Sequence, residues 1–200
     1  MLPVVFITDN GYFMPTMVAI QSIIQNRKGD IAINVIGIKL SNSNKEYIID
    51  YSNKQPSQVA VKYIETDFSE FEQFHTAEDQ YVSPTALVKF KLSNIFKEYE
   101  KLLYIDGDVI VRGSLKELDD IDLGNHYAGV VKDLMSLHQG DPERIGRKSY
   151  FNSGVLLLNC KKIRDDNLYQ KLINEKKTIQ ASTIWIRTYS MLYFRIMYYI

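Results

Sequence analysis

The chain has 200 residues, with 24 basic and 24 acidic side chains and no formal net charge, a length that suits one domain, or one domain and a fragment of another. The charge balance excludes nucleic acid as the main partner, since binding a phosphate backbone demands a basic excess. A single cysteine, Cys160, rules out an internal disulfide, fits a reducing compartment and reads as an inert buried thiol.

The opening MLPVVFITDN reaches Asp9 without a basic region, so it does not read as a signal peptide. Val4 to Thr8 is an apolar, β-branched run that predicts a strand. Asn10-Gly11-Tyr12 breaks it, and Pro15 is placed as a first helical residue, where a missing N–H is tolerated. Met17, Ile20, Ile23 and Ile24 keep helical spacing as far as Asn26. IAINVIGIKL at 31–40 predicts a second strand, closed by SNSN, a cluster suited to a turn and a helix N-cap. QVAVKYI at 58–64 predicts a third strand, and Ser83-Pro84 opens a helix through Leu87, Phe90, Lys91 and Ile95.

Leu102 to Ile105 then read as a buried strand that ends in Asp106-Gly107-Asp108 and is followed by a second apolar run, Val109 to Val111. YAGVVKD at 127–133 and YFNSGVLLLN at 150–159 predict two more strands, and the segment 161–177 predicts an amphipathic helix with a solvated Lys/Glu face. Strand and helix alternate, the signature of an α/β fold with a mostly parallel central sheet and flanking helices. Ligands of open α/β sheets bind beyond the carboxyl ends of strands. Thr8-Asp9-Asn10 and Asp106-Gly107-Asp108 both fall at such ends, which predicts that they share one crevice.

Two acids one residue apart raise each other's pKa unless a cation sits between them. Asp106 and Asp108 therefore ask for a metal, an acid/base task or a bland solvated turn. Hard cations such as Mg²⁺ and Mn²⁺ take carboxylate oxygens and leave positions open for phosphates, which favours the metal. Asp9 can accept from a base or ribose donor and Tyr12 can stack on a base, or the segment is an Asx-type turn capping the next helix. Asn152-Ser153-Gly154 can be a turn or offer amide contacts to sugar hydroxyls. His75, His126 and His138 show no metal-ligand spacing.

VVFITDNGYFMPTMVAIQSI, KLLYIDGDVIVRGSL, GVVKDL and YFNSGVLLLN, in this order, resemble family 8 glycosyltransferases, which include bacterial lipopolysaccharide galactosyl- and glucosyltransferases and the glycogenins. The resemblance implies a GT-A fold, a UDP-sugar donor held through Mn²⁺ (or Mg²⁺) on the D-x-D pair, and transfer with retention. It implies that Thr8, Asp9, Asn10 and Tyr12 bind the uridine, that Asp106 and Asp108 hold the metal, and that Gly107 lies at the ribose. Asp133 and Asn152, with Ser153 and Gly154, match donor-sugar contacts, and Asp133 and Asn152 are the residues it implies for catalysis. Lys89 stands where the family usually has an arginine near the diphosphate, and Gly11 replaces a common Asn.

The resemblance stops near residue 177, which predicts a nucleotide-sugar-binding domain over 1–177 and an atypical tail over 178–200. The family's D-Q-D segment and its metal-site histidine are absent there. The tail TIQASTIWIRTYSMLYFRIMYYI has no acid, glycine or proline, yet six aromatics. Arg187 and Arg195 among aromatics suit a membrane-surface helix, and the apolar side chains suit self-association. Alternatively the gene is truncated or frameshifted. Read from the third base of each codon, Trp185-Ile186 forces an Asp, and allowed codons around it give Met-Asp-Gln-Asp.

The expected function is metal-dependent transfer of glucose or galactose from a UDP-sugar to a glycan, lipid-linked or protein-linked acceptor. The expected location is the cytoplasm, or the inner face of the cell membrane. One alternative is an impaired fragment that only binds UDP-sugar and metal. A remote one is a phosphatase of the haloacid dehalogenase type, which also ends a strand in D-x-D, although there the motif usually opens the chain.

Overall fold

The computed structural model describes residues 1–66, 89–132, 151–171, 174 and 196–199. Its centre is a sheet of seven strands in the order β3-β2-β1-β4-β6-β5-β7. They are β1 (Pro3–Thr8), β2 (Ile31–Gly37), β3 (Val59–Glu65), β4 (Lys101–Ile105), β5 (Ala128–Lys132), β6 (Phe151–Asn159) and β7 (Ile196–Tyr199). β1 pairs in parallel with both β2 and β4, and β2 with β3. β6 is antiparallel to both its neighbours, β4 and β5, and is the one reversed strand among those described.

β1, β2 and β4 read as near-continuous apolar runs because both their faces are covered. Val4 and Phe6 of β1 face a layer with Phe13, Met17, Ile20 and Ile23 of helix α1 (Phe13–Asn26) and Ile48 of α2 (Asn42–Asn53). Val5 and Ile7, one residue out of phase, face Leu92 of α3 (Leu92–Ile95), Phe96, and Cys160 and Ile163 of a later helix (Cys160–Asp165). Alternate residues of one strand thus feed two separate cores, as a period of two requires.

Several boundaries differ from the sequence prediction. Helix α1 begins at Phe13, so Pro15 lies inside its first turn, where its missing N–H still breaks no intrahelical bond. The SNSN cluster caps α2 as predicted, with Ser41 Oγ accepting from the Asn44 N–H at 3.3 Å. The described part of the helix predicted from Ser83 is a 3₁₀ turn, Lys89–Lys91, leading into α3. The apolar run Val109 to Val111 is an irregular segment. It crosses the end of α1, with the Val111 N–H donating to Ser22 Oγ at 2.9 Å and its carbonyl accepting from Asn26 Nδ2 at 2.9 Å. A four-residue α4 (Lys116–Asp119) follows, and Cys160–Asp165 is α5.

The helix predicted over 161–177 is interrupted. α5 stops at Asp165, Asn167 takes a left-handed φ of 51°, and residues 168–171 are helical again. Asn tolerates that conformation better than most side chains, so Asn167 itself is the break. Of the tail, residues 196–199 are β7, paired in parallel with Ala128–Val131 of β5 at the sheet edge. The remainder of 178–200 lies outside the described residues.

Candidate active site

The carboxyl ends of β1 and β4 adjoin, and helix α1 seals them together. Gly107 has no room for a side chain, because a Cβ there would stand 2.2 Å from Thr16 Oγ1 on α1. The same Thr16 hydroxyl lies 3.0 Å from Thr8 Oγ1 and 2.8 Å from the Tyr12 carbonyl. Thr16 therefore ties the end of β1 to the D-x-D turn after β4.

The third motif arrives by reversal. In an all-parallel sheet the start of a strand lies at the amino edge, far from Asp106. Because β6 runs backwards beside β4, Asn152-Ser153-Gly154 at its start lies against the end of β4. The Asp106 N–H donates to the Gly154 carbonyl at 2.7 Å. Pairing with β5 slips here too: Val130 opposes Leu156 while Val131 opposes Asn152, so 153–155 bulge. Such bulges re-aim side chains next to functional sites.

A Cβ on Gly154 would stand 2.8 Å from Asp106 Oδ2 and 2.9 Å from Asn152 Oδ1, so these two oxygens flank one small space. Asn152 Oδ1 also accepts from the Gly154 N–H at 2.7 Å. Asp108 is exposed and, among the described residues, makes no hydrogen bond or ion pair.

Asp106 is held differently. Its Oδ1 accepts from Lys89 Nζ at 2.8 Å and from the Tyr104 hydroxyl. Lys89 Nζ also donates to the Ser153 carbonyl at 3.1 Å and sits 4.5 Å from the centre of the Tyr104 ring. Lys89, expected beside a diphosphate, here serves as the counter-ion of Asp106, which answers the question of how two adjacent acids coexist. Burial, followed by the charge of Asp106, pushes the Tyr104 phenol well above its ordinary pKa, so it remains a donor.

Of the uridine-side candidates, two have side chains committed within the protein. Thr8 is 1% exposed and bonded to Thr16. Asn10 donates to the Lys39 carbonyl at 3.0 Å and accepts from the Ser41 N–H at 2.9 Å and from Asn44 Nδ2 at 3.0 Å, stapling β1 to the start of α2. Asp9 Oδ1 accepts the Tyr12 N–H at 2.9 Å, the Asx-type turn foreseen for this segment. The Tyr12 ring is 56% exposed at the rim. Asp133 lies outside the described residues.

The D-x-D carboxylates Asp106 and Asp108 are hard oxygen donors, the type that Mg²⁺ or Mn²⁺ takes. Among the described residues no group of three or more His, Cys, Asp or Glu side chains gathers, so a cation here would draw on phosphate or water for the rest of its shell.

Residues 3–193 match the family model described as glycosyl transferase family 8, so the likeness runs past residue 177 into the tail. The chain is 31% identical over 175 residues to a putative glycosyltransferase of Haemophilus influenzae, covering 86% of this chain and 52% of that protein. It is 28% identical over 176 residues to a lipopolysaccharide 1,2-glucosyltransferase of Escherichia coli, covering 83% of this chain and 50% of that one. The chain thus spans about half the length of these relatives. The crystal structure of the galactosyltransferase LgtC with donor and acceptor sugar analogues superposes with a TM-score of 0.79 at 27% identity, covering 98% of this chain and 73% of that one.

Proposed function

The chain belongs to glycosyl transferase family 8, and from that premise we propose that it transfers glucose or galactose from a UDP-sugar to a glycan acceptor of the cell envelope, with retention and with the help of Mn²⁺ or Mg²⁺. The fold is of the GT-A type, as in the galactosyltransferase it resembles. The observation that carries the proposal is the meeting of Asp106, first acid of the D-x-D pair, with Asn152 at the carboxyl edge of the sheet, which the reversed β6 brings about.

In this reading Asp106 and Asp108 hold the cation, which when bound neutralises charge developing on the departing diphosphate. Tyr12 offers a ring face to the base, and Asp9 offers an acceptor to the base or ribose. Gly107, whose missing side chain makes room for Thr16, is assigned to the ribose on the sequence resemblance. Asn152 presents its amide to a sugar hydroxyl, with Ser153 and Gly154 shaping that wall. Asp133 is assigned to the donor sugar on the sequence resemblance. Among the described residues no helix is long and apolar enough to cross a membrane. On the kinship with lipopolysaccharide transferases we place the reaction in the cytoplasm, or peripheral to the inner face of the cell membrane.

Calorimetry with UDP, with and without MnCl₂, tests the site, and release of hexose from UDP-glucose or UDP-galactose tests the chemistry. Equal UDP affinity with and without metal overturns the metal assignment. Binding without any hydrolysis or transfer favours the second reading, a chain that holds UDP and cation but does not turn over. The family match sets aside the phosphatase reading.

A further inference from the structure

Tyr104 looks like a core residue, fully buried at 0% exposure among Leu102, Phe96 and Leu158. Its hydroxyl nevertheless reaches out of that core to Asp106 Oδ1. The same oxygen takes the Lys89 ammonium at 2.8 Å, and that ammonium lies over the Tyr104 ring at 4.5 Å. Ring face, phenol and ammonium thus close a loop around a single carboxylate oxygen. The other oxygen, Oδ2, is the one beside Gly154 and Asn152 Oδ1.

A carboxylate at a strand end is otherwise free to rotate, because the terminal Asp torsion is broad. Two donors on one oxygen remove that freedom. We propose that Tyr104 is a positioning residue: with Lys89 it commits Oδ1 of Asp106 to protein donors, so that only Oδ2 is presented to the cation and donor. Preorganising a ligand in this way is what partners behind metal ligands do elsewhere, and their loss typically weakens metal affinity. The role divides the two acids. Asp106 is a fixed, one-oxygen ligand, whereas Asp108 is an exposed carboxylate free to adjust. This inference rests on the reading of Asp106 as a cation ligand.

The test is UDP affinity by calorimetry over a MnCl₂ series, for the native chain and for Tyr104→Phe, Lys89→Met, Asp106→Asn and the Tyr104→Phe/Asp106→Asn pair. Tyr104→Phe keeps the ring and the core volume and removes only the hydroxyl. It is expected to raise the Mn²⁺ concentration needed for half-maximal effect by about 10-fold or more. UDP affinity in EDTA stays unchanged, and Tyr104→Phe has no further effect once Asp106 is Asn. Lys89→Met leaves the phenol in place and shifts the Mn²⁺ response in the same direction, which keeps the test open if Tyr104→Phe does not fold. A native Mn²⁺ response in the folded Tyr104→Phe or Lys89→Met variant overturns the role. So does an equal loss in EDTA, which marks a purely structural residue. If the native chain itself shows no Mn²⁺ dependence, the metal assignment falls and this inference with it. Native dependence with an unaffected Tyr104→Phe removes this inference alone.

Discussion

The Asp106 N–H donates to the Gly154 carbonyl at 2.7 Å, joining the end of β4 to the start of β6. Beside this bond the side chains of Asp106 and Asn152 flank one small space, which is kept open by the missing Cβ of Gly154. The φ of Gly154 is not left-handed, so an alanine there is opposed by space rather than by backbone strain. Gly154→Ala puts a methyl 2.8 Å from Asp106 Oδ2 and 2.9 Å from Asn152 Oδ1. Both are side-chain rather than backbone atoms, and Asn152 can give way where Asp106 is held by Lys89 and Tyr104, so the fold is expected to survive while Mn²⁺-dependent UDP binding falls by about 10-fold or more. Native affinity in this variant shows that the two oxygens do not act together.

Gly107→Ala meets a harder obstacle. Its methyl would lie 2.2 Å from Thr16 Oγ1 on a packed helix, so α1 or the D-x-D turn must shift. The expected loss is about 1–3 kcal/mol, as for other overpacked sites. Since the closest contact is with the hydroxyl, and Thr16 Cβ stands off at 3.2 Å, adding Thr16→Ala is expected to recover part of it. Urea denaturation of both single variants and the pair measures this, and strict additivity argues against the contact.

Asp108→Asn isolates the exposed acid. With no partner among the described residues, its charge contributes little to folding, and the melting temperature is expected to stay within about 1 °C of native. The Mn²⁺ response of UDP binding should disappear. A retained response assigns the cation elsewhere.

Burial pushes the Cys160 thiol from 9.0 up to about 12. The folded state therefore holds this proton more tightly than the unfolded chain does. The resulting stability is complete below about pH 9 and is lost as pH rises toward about 12. Cys160→Ala is expected to lose less stability than the native chain across that window, whatever its offset at neutral pH. Parallel curves from denaturation at stepped pH contradict the assignment.

The tail gives a further test. Deleting residues 196–200 removes β7 and bares the edge of β5 at Ala128–Val131. A loss of ~1–2 kcal/mol lowers the melting temperature by roughly 2–8 °C in a chain of this size. An unchanged value returns the tail to its other reading, a surface for self-association. Coding DNA that reads Asp-Gln-Asp in the adjacent frame sustains the frameshift reading, and its absence ends it.

Much of the fold was legible because apolar runs bounded by turn residues need no tertiary information. All of β1 to β6 were found this way. An apolar run has no direction, however, so nothing in YFNSGVLLLN announces that β6 is reversed, and that reversal builds half of the site. Tyr104 was within reach. A period of two puts residues 104 and 106 on one side of the strand, and a Tyr in an aliphatic run two residues before an Asp is a positional signal. Thr16 carried none, because its partner is the absent side chain of Gly107. Asn10 shows the opposite limit: a polar residue beside a candidate site looks the same in sequence whether it faces a ligand or, as here, staples Lys39 and Ser41.

The place of β6 also bears on how the protein acquires its function. β4 and β5 precede it in the chain but are joined in one sheet only through β6, which lies between them. Pairings of such long sequence separation form late, after their loop-closure entropy has been overcome. Until then Asp106 lacks Gly154 and Asn152, and the crevice is open on one side. Affinity for a nucleotide should therefore be a property of the completed sheet and absent from any partly assembled state. During refolding, UDP binding is expected to return with the burial of Leu156 and Leu158 rather than with the earlier docking of α1 on β1. A ligand that recognises only the finished sheet also stabilises it by mass action, so the donor proposed above, where it binds, is expected to act on this chain as a folding ligand too.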